Sequence, residues 1–203
     1  MFAVGHLSLG YLFAKASAKL LKKEINLPLV FVLSLIPDID ILIPMVQHRT
    51  ITHSIITSTA AFLPFLLLYG TTSIPYFAAL AQHSLVGDFI TGGTQGTQLL
   101  WPLTSAPYGL PLSILSPANL ALEWGSFIAA LAVMLKTKDI QKLLKRKQSD
   151  LALFLPISTV LLPSFLHFPI YVPPLLMIPH LAYLALFSLS ILAVLAPPIK
   201  NTA

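Results

Sequence analysis

Seven stretches of the chain are apolar enough to lie in a membrane: about residues 2–20, 27–43, 51–69, 74–91, 118–135, 151–168 and 174–196. Polar residues collect in short runs between them, and no soluble domain interrupts the series. In hydrocarbon every backbone N–H and C=O must be satisfied inside its own segment, so such runs predict α-helices. About 18 residues or more cross a core of about 30 Å, and the last five stretches have that length. The second does not. Leu27 to Ile36 gives ten residues, about 15 Å of helix, before Pro37-Asp38-Ile39-Asp40 interrupts it. It reads as a half-spanning element ending in a protein-lined pocket. Pro156 and Pro163 predict kinks in the sixth stretch. Residues 91–119 hold too much Gly, Pro and Ser for a helix and belong at the interface, with Trp101 and Tyr108 at headgroup level. Within them Gly93-Thr94-Gln95 repeats as Gly96-Thr97-Gln98. The predicted fold is all-α: an integral membrane helical bundle of about five full spans plus two short N-terminal helical segments, one half-spanning, in a single membrane domain over 1–203.

Composition agrees: 56% of residues are hydrophobic and 9% charged, against about 25% charged in an ordinary soluble domain. The absence of cysteine excludes disulfides, thiolate ligands and cysteine nucleophiles, so any metal must be held by His, Asp or Glu. The net charge of +5 does not point to nucleic acid, because the basic residues sit in blocks beside apolar runs, where they orient a protein in a bilayer. The first helix resembles a signal peptide only superficially: its lysines, Lys15, Lys19, Lys22 and Lys23, follow the apolar run instead of preceding it, so it is expected to be retained. If the segments alternate in direction, these lysines, the block Lys136, Lys138, Lys142, Lys145, Arg146 and Lys147, and Lys200 all fall on one side, the cytoplasmic side by the positive-inside rule. Arg49 alone falls opposite. The same alternation sets His6, Asp38, Asp40, His48, His53, Asp88, Glu123, His167 and His180 toward the outer ends of their segments, with His83 deeper.

The chemistry is concentrated in Pro37-Asp38-Ile39-Asp40, in His48-Arg49-Thr50-Ile51-Thr52-His53-Ser54, and in His83 with Gly87-Asp88 ahead of Thr91-Gly92-Gly93. An ionised Asp at the centre of a membrane helix costs about 2.5–3.5 kcal/mol, so clustered carboxylates and imidazoles need a reason. A divalent cation provides one. His48 and His53 are five apart and fit a loop ligand followed by one at the start of the third segment. His83 and Asp88, also five apart, would diverge by about 140° on an ideal helix. Either Gly87 loosens the helix into a π-bulge or the two residues serve different metals. Asp38 and Asp40 would diverge on a helix and point the same way from an extended turn, which Pro37 favours.

These motifs, in order, resemble the membrane-bound metal-dependent hydrolases of the YdjM-like type. That pattern reads as Pro then Asp-x-Asp, a His-Arg-x-x-x-His-Ser signature, a His with an Asp shortly after, and a Thr-x-Gly turn leading to Trp-Pro. Here the matching residues are Pro37 to Asp40, His48 to Ser54, His83 with Asp88, Thr91 to Gly93, and Trp101-Pro102; His6 in Gly5-His6-Leu7 looks like the family's early histidine. The resemblance covers residues 5–103, inside a motif-bearing half of about 1–117; helices 118–203 carry no motif. Thr50 departs from the pattern, where a small glycine would be expected. The family is distantly similar to zinc-dependent phospholipase C enzymes, which implies phosphoester hydrolysis by analogy of fold.

The expectation is therefore a multi-pass cell-membrane hydrolase, its site facing outward, that holds one or two zinc-like ions and cleaves a phosphoester of a lipid or lipid-linked substrate. His6, Asp38, His48, His53, His83 and Asp88 are the candidate metal ligands. Asp40 is expected to bridge ions or orient the nucleophile, and Arg49 to hold a phosphate oxygen through its fork geometry. The alternatives are a metal or proton transporter and a non-catalytic membrane scaffold. His167 and His180 are expected to serve packing, Glu123 to support the site from behind, and Lys136 to Lys147 to form a solvated face touching anionic lipid.

Overall fold

The computed structural model describes residues 1–168 and 171–196. Helices α1 (Ala3–Leu21), α2 (Leu27–Leu35), α3 (Ile55–Tyr69), α4 (Ile74–Gln82), α5 (Pro117–Lys136) and α6 (Asp139–Leu143) are regular. An irregular helix, α7, runs from Gln148 to Leu166, and α8 covers Met177–Leu195 behind a 3₁₀ turn at Pro174–Leu176. Their starts follow from local sequence. The Asn26 side chain accepts from the Leu29 N–H ahead of α2, Ser54 Oγ from Ile56 and Thr57 ahead of α3, and Ser116 Oγ from Asn119 ahead of α5. Pro28 and Pro117 sit in the first turns, where no backbone N–H is missed.

Helix α1 occupies the centre and packs against α2, α4 and α5. Its Val4, Leu7, Tyr11 and Ala14 are fully buried, and Phe31 of α2 packs at a tilt against Phe187 of α8 with ring centroids 4.9 Å apart. A Cβ on Gly10 would stand 1.8 Å from Ser34 Oγ, so the glycine lets α1 and α2 approach closely.

Four helical stretches, Ile55–Thr72, Pro117–Lys136, Gln148–Leu166 and Pro174–Leu195, are long and apolar enough to cross a membrane. Their outward positions, such as Leu67, Leu68, Phe154 and Ile178, are exposed in the way lipid-facing residues must be. The fifth expected crossing, residues 74–91, is not among them: α4 has nine residues and its π-helical continuation His83–Asp88 six, and Ala79 to Ser84 lie inside the bundle. The short α2 stops at Leu35, as the Pro37 interruption implied. α7 mixes 3₁₀, α and π turns around Pro156 and Pro163. Residues 91–116 contain no helix and are tied instead by isolated antiparallel bridges, Thr91 to Pro111 and Thr97 to Tyr108.

The basic blocks meet at one end of the bundle. Lys15 Nζ lies 2.5 Å from Asp139 Oδ2 and Lys142 Nζ 2.9 Å from Asp139 Oδ1, which joins the end of α1 to α6. Burial pushes the Asp139 carboxyl up, but the two lysines outweigh it and hold its pKa below the usual carboxylate value. His6 sits nine residues earlier on α1, about 13 Å along the axis, so the histidine cluster occupies the other end. Lys200 lies outside the described residues.

Candidate metal centre

Four elements deliver the cluster: α1 brings His6, the 3₁₀ helix Ile36–Leu42 brings Asp38 and Asp40, the turn Ile51–His53 before α3 brings His53, and the π turn after α4 brings His83 and Asp88. The π turn settles the five-residue spacing. Bonding from i to i+5 widens the coil enough to stack His83 over Asp88, with Nε2 3.6 Å from Oδ2. Gly87 makes room there, because a Cβ would stand 2.4 Å from Cε1 of His6.

The two aspartates do not point the same way. Residues 36–42 form a 3₁₀ helix, not an extended turn, because Pro37 has the φ of a first helical turn and lacks only an N–H that would be unpaired there. At about 120° per residue, positions two apart separate. Asp38 turns toward His53 and His83, whereas Asp40 turns toward His48 and Thr52.

The decisive geometry concerns protons. His83 Nδ1 lies 2.7 Å from the Ser34 carbonyl, which can only accept, so Nδ1 carries the hydrogen and Nε2 of the neutral ring keeps a lone pair. Thr52 donates its hydroxyl proton to Asp40 Oδ2 at 2.6 Å, so its oxygen accepts from His53 Nδ1 at 2.9 Å. In the neutral ring His53 Nε2 is left with a lone pair as well. These two nitrogens lie 3.2 Å apart, and with Asp38 Oδ1 and Asp88 Oδ2 they form a group of four acceptors. His53 Nε2 is 3.4 Å from Asp38 Oδ1 and 3.0 Å from Asp88 Oδ2, and His83 Nε2 is 3.2 Å from Asp38 Oδ1.

With the rings in these tautomers, no hydrogen is available to lie between the four atoms, and Asp88 Oδ2 is buried without a hydrogen-bond partner. Four lone pairs at this range repel unless positive charge sits among them, either a metal cation or a second proton on His53, whose pKa burial lowers but Asp38, Asp40 and Asp88 raise well above the usual imidazole value. Donors bound tetrahedrally at about 2.0–2.2 Å stand about 3.3–3.6 Å from one another, close to the observed spacings. The donor set could therefore hold a divalent metal ion through two imidazoles and two carboxylates.

A second group, Asp40 with His48 and His53, would use His53 Nδ1. A neutral imidazole cannot offer both nitrogens to metals, so this group competes with the hydrogen-bond chain that holds the first. Asp40 is buried and does not line the adjoining cavity; it lies 3.0 Å from His48 Nδ1 and 3.3 Å from His53 Nδ1. Burial pushes its carboxyl up, but hydrogen bonds from His48, His53 and Thr52 hold it below the usual range. Its place is behind His53, where it orients the ring.

His6 stacks on His83 with ring centroids 3.7 Å apart and planes 10° apart, its Nε2 3.5 Å from Asp88 Oδ1. It lies outside the group of four. His48 is half-exposed at the rim, edge-on to His53 at 4.7 Å. Arg49, not Thr50, holds the left-handed backbone conformation in this loop, with φ 64°. Its carbonyl accepts from Gln98 N, its Nη1 donates to the Gly92 carbonyl at 3.1 Å, and its Nη2 lies 3.6 Å from Asp88 Oδ1.

A cavity of about 490 Å³ opens beside the cluster. Asp38, His48, Arg49, Asp88, Thr91 and the Gly92-Gly93 backbone form its polar side, and Phe2, Ile41, Ile114 and Val160 its apolar side. Sequence reasoning had no signal for Ser34 or Thr52, whose roles depend on neighbours brought by other helices. Glu123 accepts from the Phe2 and Gly5 N–H groups at 2.6 and 2.5 Å and so caps the start of α1, the helix that carries His6. His180 donates to the Leu161 carbonyl and His167 stacks on Tyr171, both in packing positions.

A family model described as YdjM inner membrane protein matches residues 1–196, and the chain belongs to that family. No curated protein and no solved structure matches it.

Proposed function

From that membership and this geometry, we propose that the chain is a membrane-embedded, metal-dependent hydrolase acting on a phosphoester of a lipid or lipid-linked substrate at the extracytoplasmic interface. The observation that carries the reading is the convergence of His53 Nε2, His83 Nε2, Asp38 Oδ1 and Asp88 Oδ2, two lone-pair nitrogens and two carboxylate oxygens, at the wall of a cavity. These four side chains would hold one divalent ion of the zinc type, with His6 and His48 as neighbours. Such an ion supplies Lewis acidity toward water and phosphoryl oxygens.

The chain's own residues account for the rest. Ser34 and the Thr52–Asp40 pair hold the two imidazoles in the lone-pair-bearing tautomer. Arg49, half-buried at the cavity and steadied by the Gly92 carbonyl, offers a fork of donors to a phosphate oxygen. His48 reaches the cavity with a partly exposed ring backed by Asp40, a position from which a proton can pass to a leaving oxygen. The apolar side of the cavity suits an acyl or prenyl chain. The outward assignment rests on the basic blocks at the opposite end of the bundle.

The test is metal analysis of purified protein together with hydrolysis of a total lipid extract. About one transition ion per chain is expected, with phosphate or a phosphorylated headgroup released in step with it. His53→Ala and Asp88→Ala should lose both. Metal-replete protein that hydrolyses no phosphoester, with retained occupancy in both variants, would sink the reading.

A further inference from the structure

A second cavity, also about 490 Å³, lies at the other end of the bundle, between the last turns of α1 and α5 and helix α6. Lys15, Lys19, Lys23, Lys136 and Lys142 line it, with Glu24 the sole acid in its wall. Asp139, beneath it, is taken by Lys15 and Lys142. Among the described residues Lys19, Lys23 and Lys136 have no carboxylate in ion-pair range. The helix C-termini do not need them either: Lys22 and Lys23 N–H groups close the end of α1 onto Lys19 and Ala18 carbonyls, and Thr137 and Lys138 N–H groups close α5. Leu12, Ala16, Ala18, Ile25 and Val133 give the cavity its apolar lining.

We propose that this cavity binds an anionic phospholipid, its phosphate against Lys19, Lys23 and Lys136 and the upper part of an acyl chain against Leu12 and Val133. Three facts select this occupant. The cavity is at the end of the spanning helix Pro117–Lys136, which is the depth of lipid headgroups. Exposed Leu20 and Leu135 adjoin Lys19 and Lys136 along their helices and give this end of the bundle apolar outer surface for lipid. Charge and apolar surface occur together, which suits an amphiphile and would be wasted on a free anion. Each basic group near an anionic leaflet adds to binding, so three unpaired lysines converging on one concave site favour a phosphodiester over a zwitterionic head.

The experiment measures lipid binding to the full chain in neutral detergent, with phosphatidylglycerol, phosphatidylcholine and inorganic phosphate as probes, by retained lipid and thermal stability. The variant Lys19→Gln/Lys23→Gln/Lys136→Gln removes the unpaired charges and leaves the Asp139 pairs intact. Lys22→Gln/Lys145→Gln/Arg146→Gln removes equal charge outside the cavity. Wild type and the second variant should retain phosphatidylglycerol, and the first should bind it about tenfold or more weakly. Equal loss in both variants, or none in the first, would overturn the site. So would stabilisation by inorganic phosphate that matches the lipid's. If the first variant does not fold, wild type decides alone: stabilisation by phosphatidylglycerol and not phosphatidylcholine supports the site, and equal stabilisation by the two overturns it.

Discussion

Gly87 lies directly beneath His6: a Cβ there would stand 2.4 Å from Cε1 and 2.6 Å from Nδ1 of the imidazole. His6 in turn stacks on His83, so the π turn, the stack and the candidate ligand form one packed unit. Gly87→Ala should force the His6 ring away, destabilising the protein by about 1–3 kcal/mol as overpacked interiors do and lowering metal occupancy. Adding His6→Ala should recover part of the stability, because it removes the clashing ring. Thermal unfolding and metal content of the single and double variants check this; unchanged values in Gly87→Ala would show that the turn tolerates a side chain.

Asp40 and Asp38, two residues apart, should behave differently when neutralised. Asp38 offers an oxygen to the group of four, whereas Asp40 holds Thr52 and His53 from behind. Asp40→Asn should weaken metal affinity about 10- to 100-fold, the usual effect of losing a partner that orients a ligand. Asp38→Asn should lose more. Chelator competition on both variants gives the two affinities, and equal losses would place both carboxylates on the ion.

Arg49 does not pair with Asp38 or Asp40; its nearest acid is Asp88, at 3.6 Å, too long for a hydrogen bond. Arg49→Ala should therefore leave metal content near normal, since guanidinium has no lone pair to give. Phosphoester hydrolysis should fall more than about tenfold, the worth of a charge-assisted contact of about 1.5–3 kcal/mol. Arg49→Lys keeps the charge without the fork and should restore only part. Hydrolysis by Arg49→Ala equal to wild type would remove the residue from substrate binding.

Asp139 gives a pH test at the basic end. Its folded pKa is depressed, so its contribution is present above its unfolded value of about 4 and is lost as pH falls through the folded value. Wild-type thermal stability should drop more steeply between about pH 5 and pH 3 than that of Asp139→Asn. Parallel acid limbs would mean that the pairs with Lys15 and Lys142 contribute nothing measurable.

The outward orientation of the cluster is tested by single cysteines, which the cysteine-free chain allows without further change. Thr50→Cys should react with an impermeant reagent from outside intact cells, and Lys138→Cys only after permeabilisation. Labelling of both from one side would place the cluster and the basic blocks on the same face.

The sequence by itself determined the helical segments, because satisfying the backbone in hydrocarbon is a local demand and apolar run length reports it directly. The stop after α2 followed from Pro37, the irregular α7 from Pro156 and Pro163, and the non-helical stretch after residue 91 from its Gly, Pro and Ser. The sequence also delivered the members of the cluster, since ionisable side chains among apolar runs are too costly to be incidental. Tertiary structure decided how those members meet. Whether Asp38 or Asp40 faces His83 depends on a 3₁₀ helix whose direction is set by packing. Which nitrogen of His83 keeps its lone pair depends on the Ser34 carbonyl, brought across by the packing of α2 against α4. His6 ends as a stacked neighbour outside the four, and Glu123 as a helix cap, for the same reason: a ligand atom must arrive within tenths of an ångström. The angle and depth at which helices distant in sequence meet set that arrival, and hydrophobic pattern, which fixes only the buried face of each helix, does not encode it.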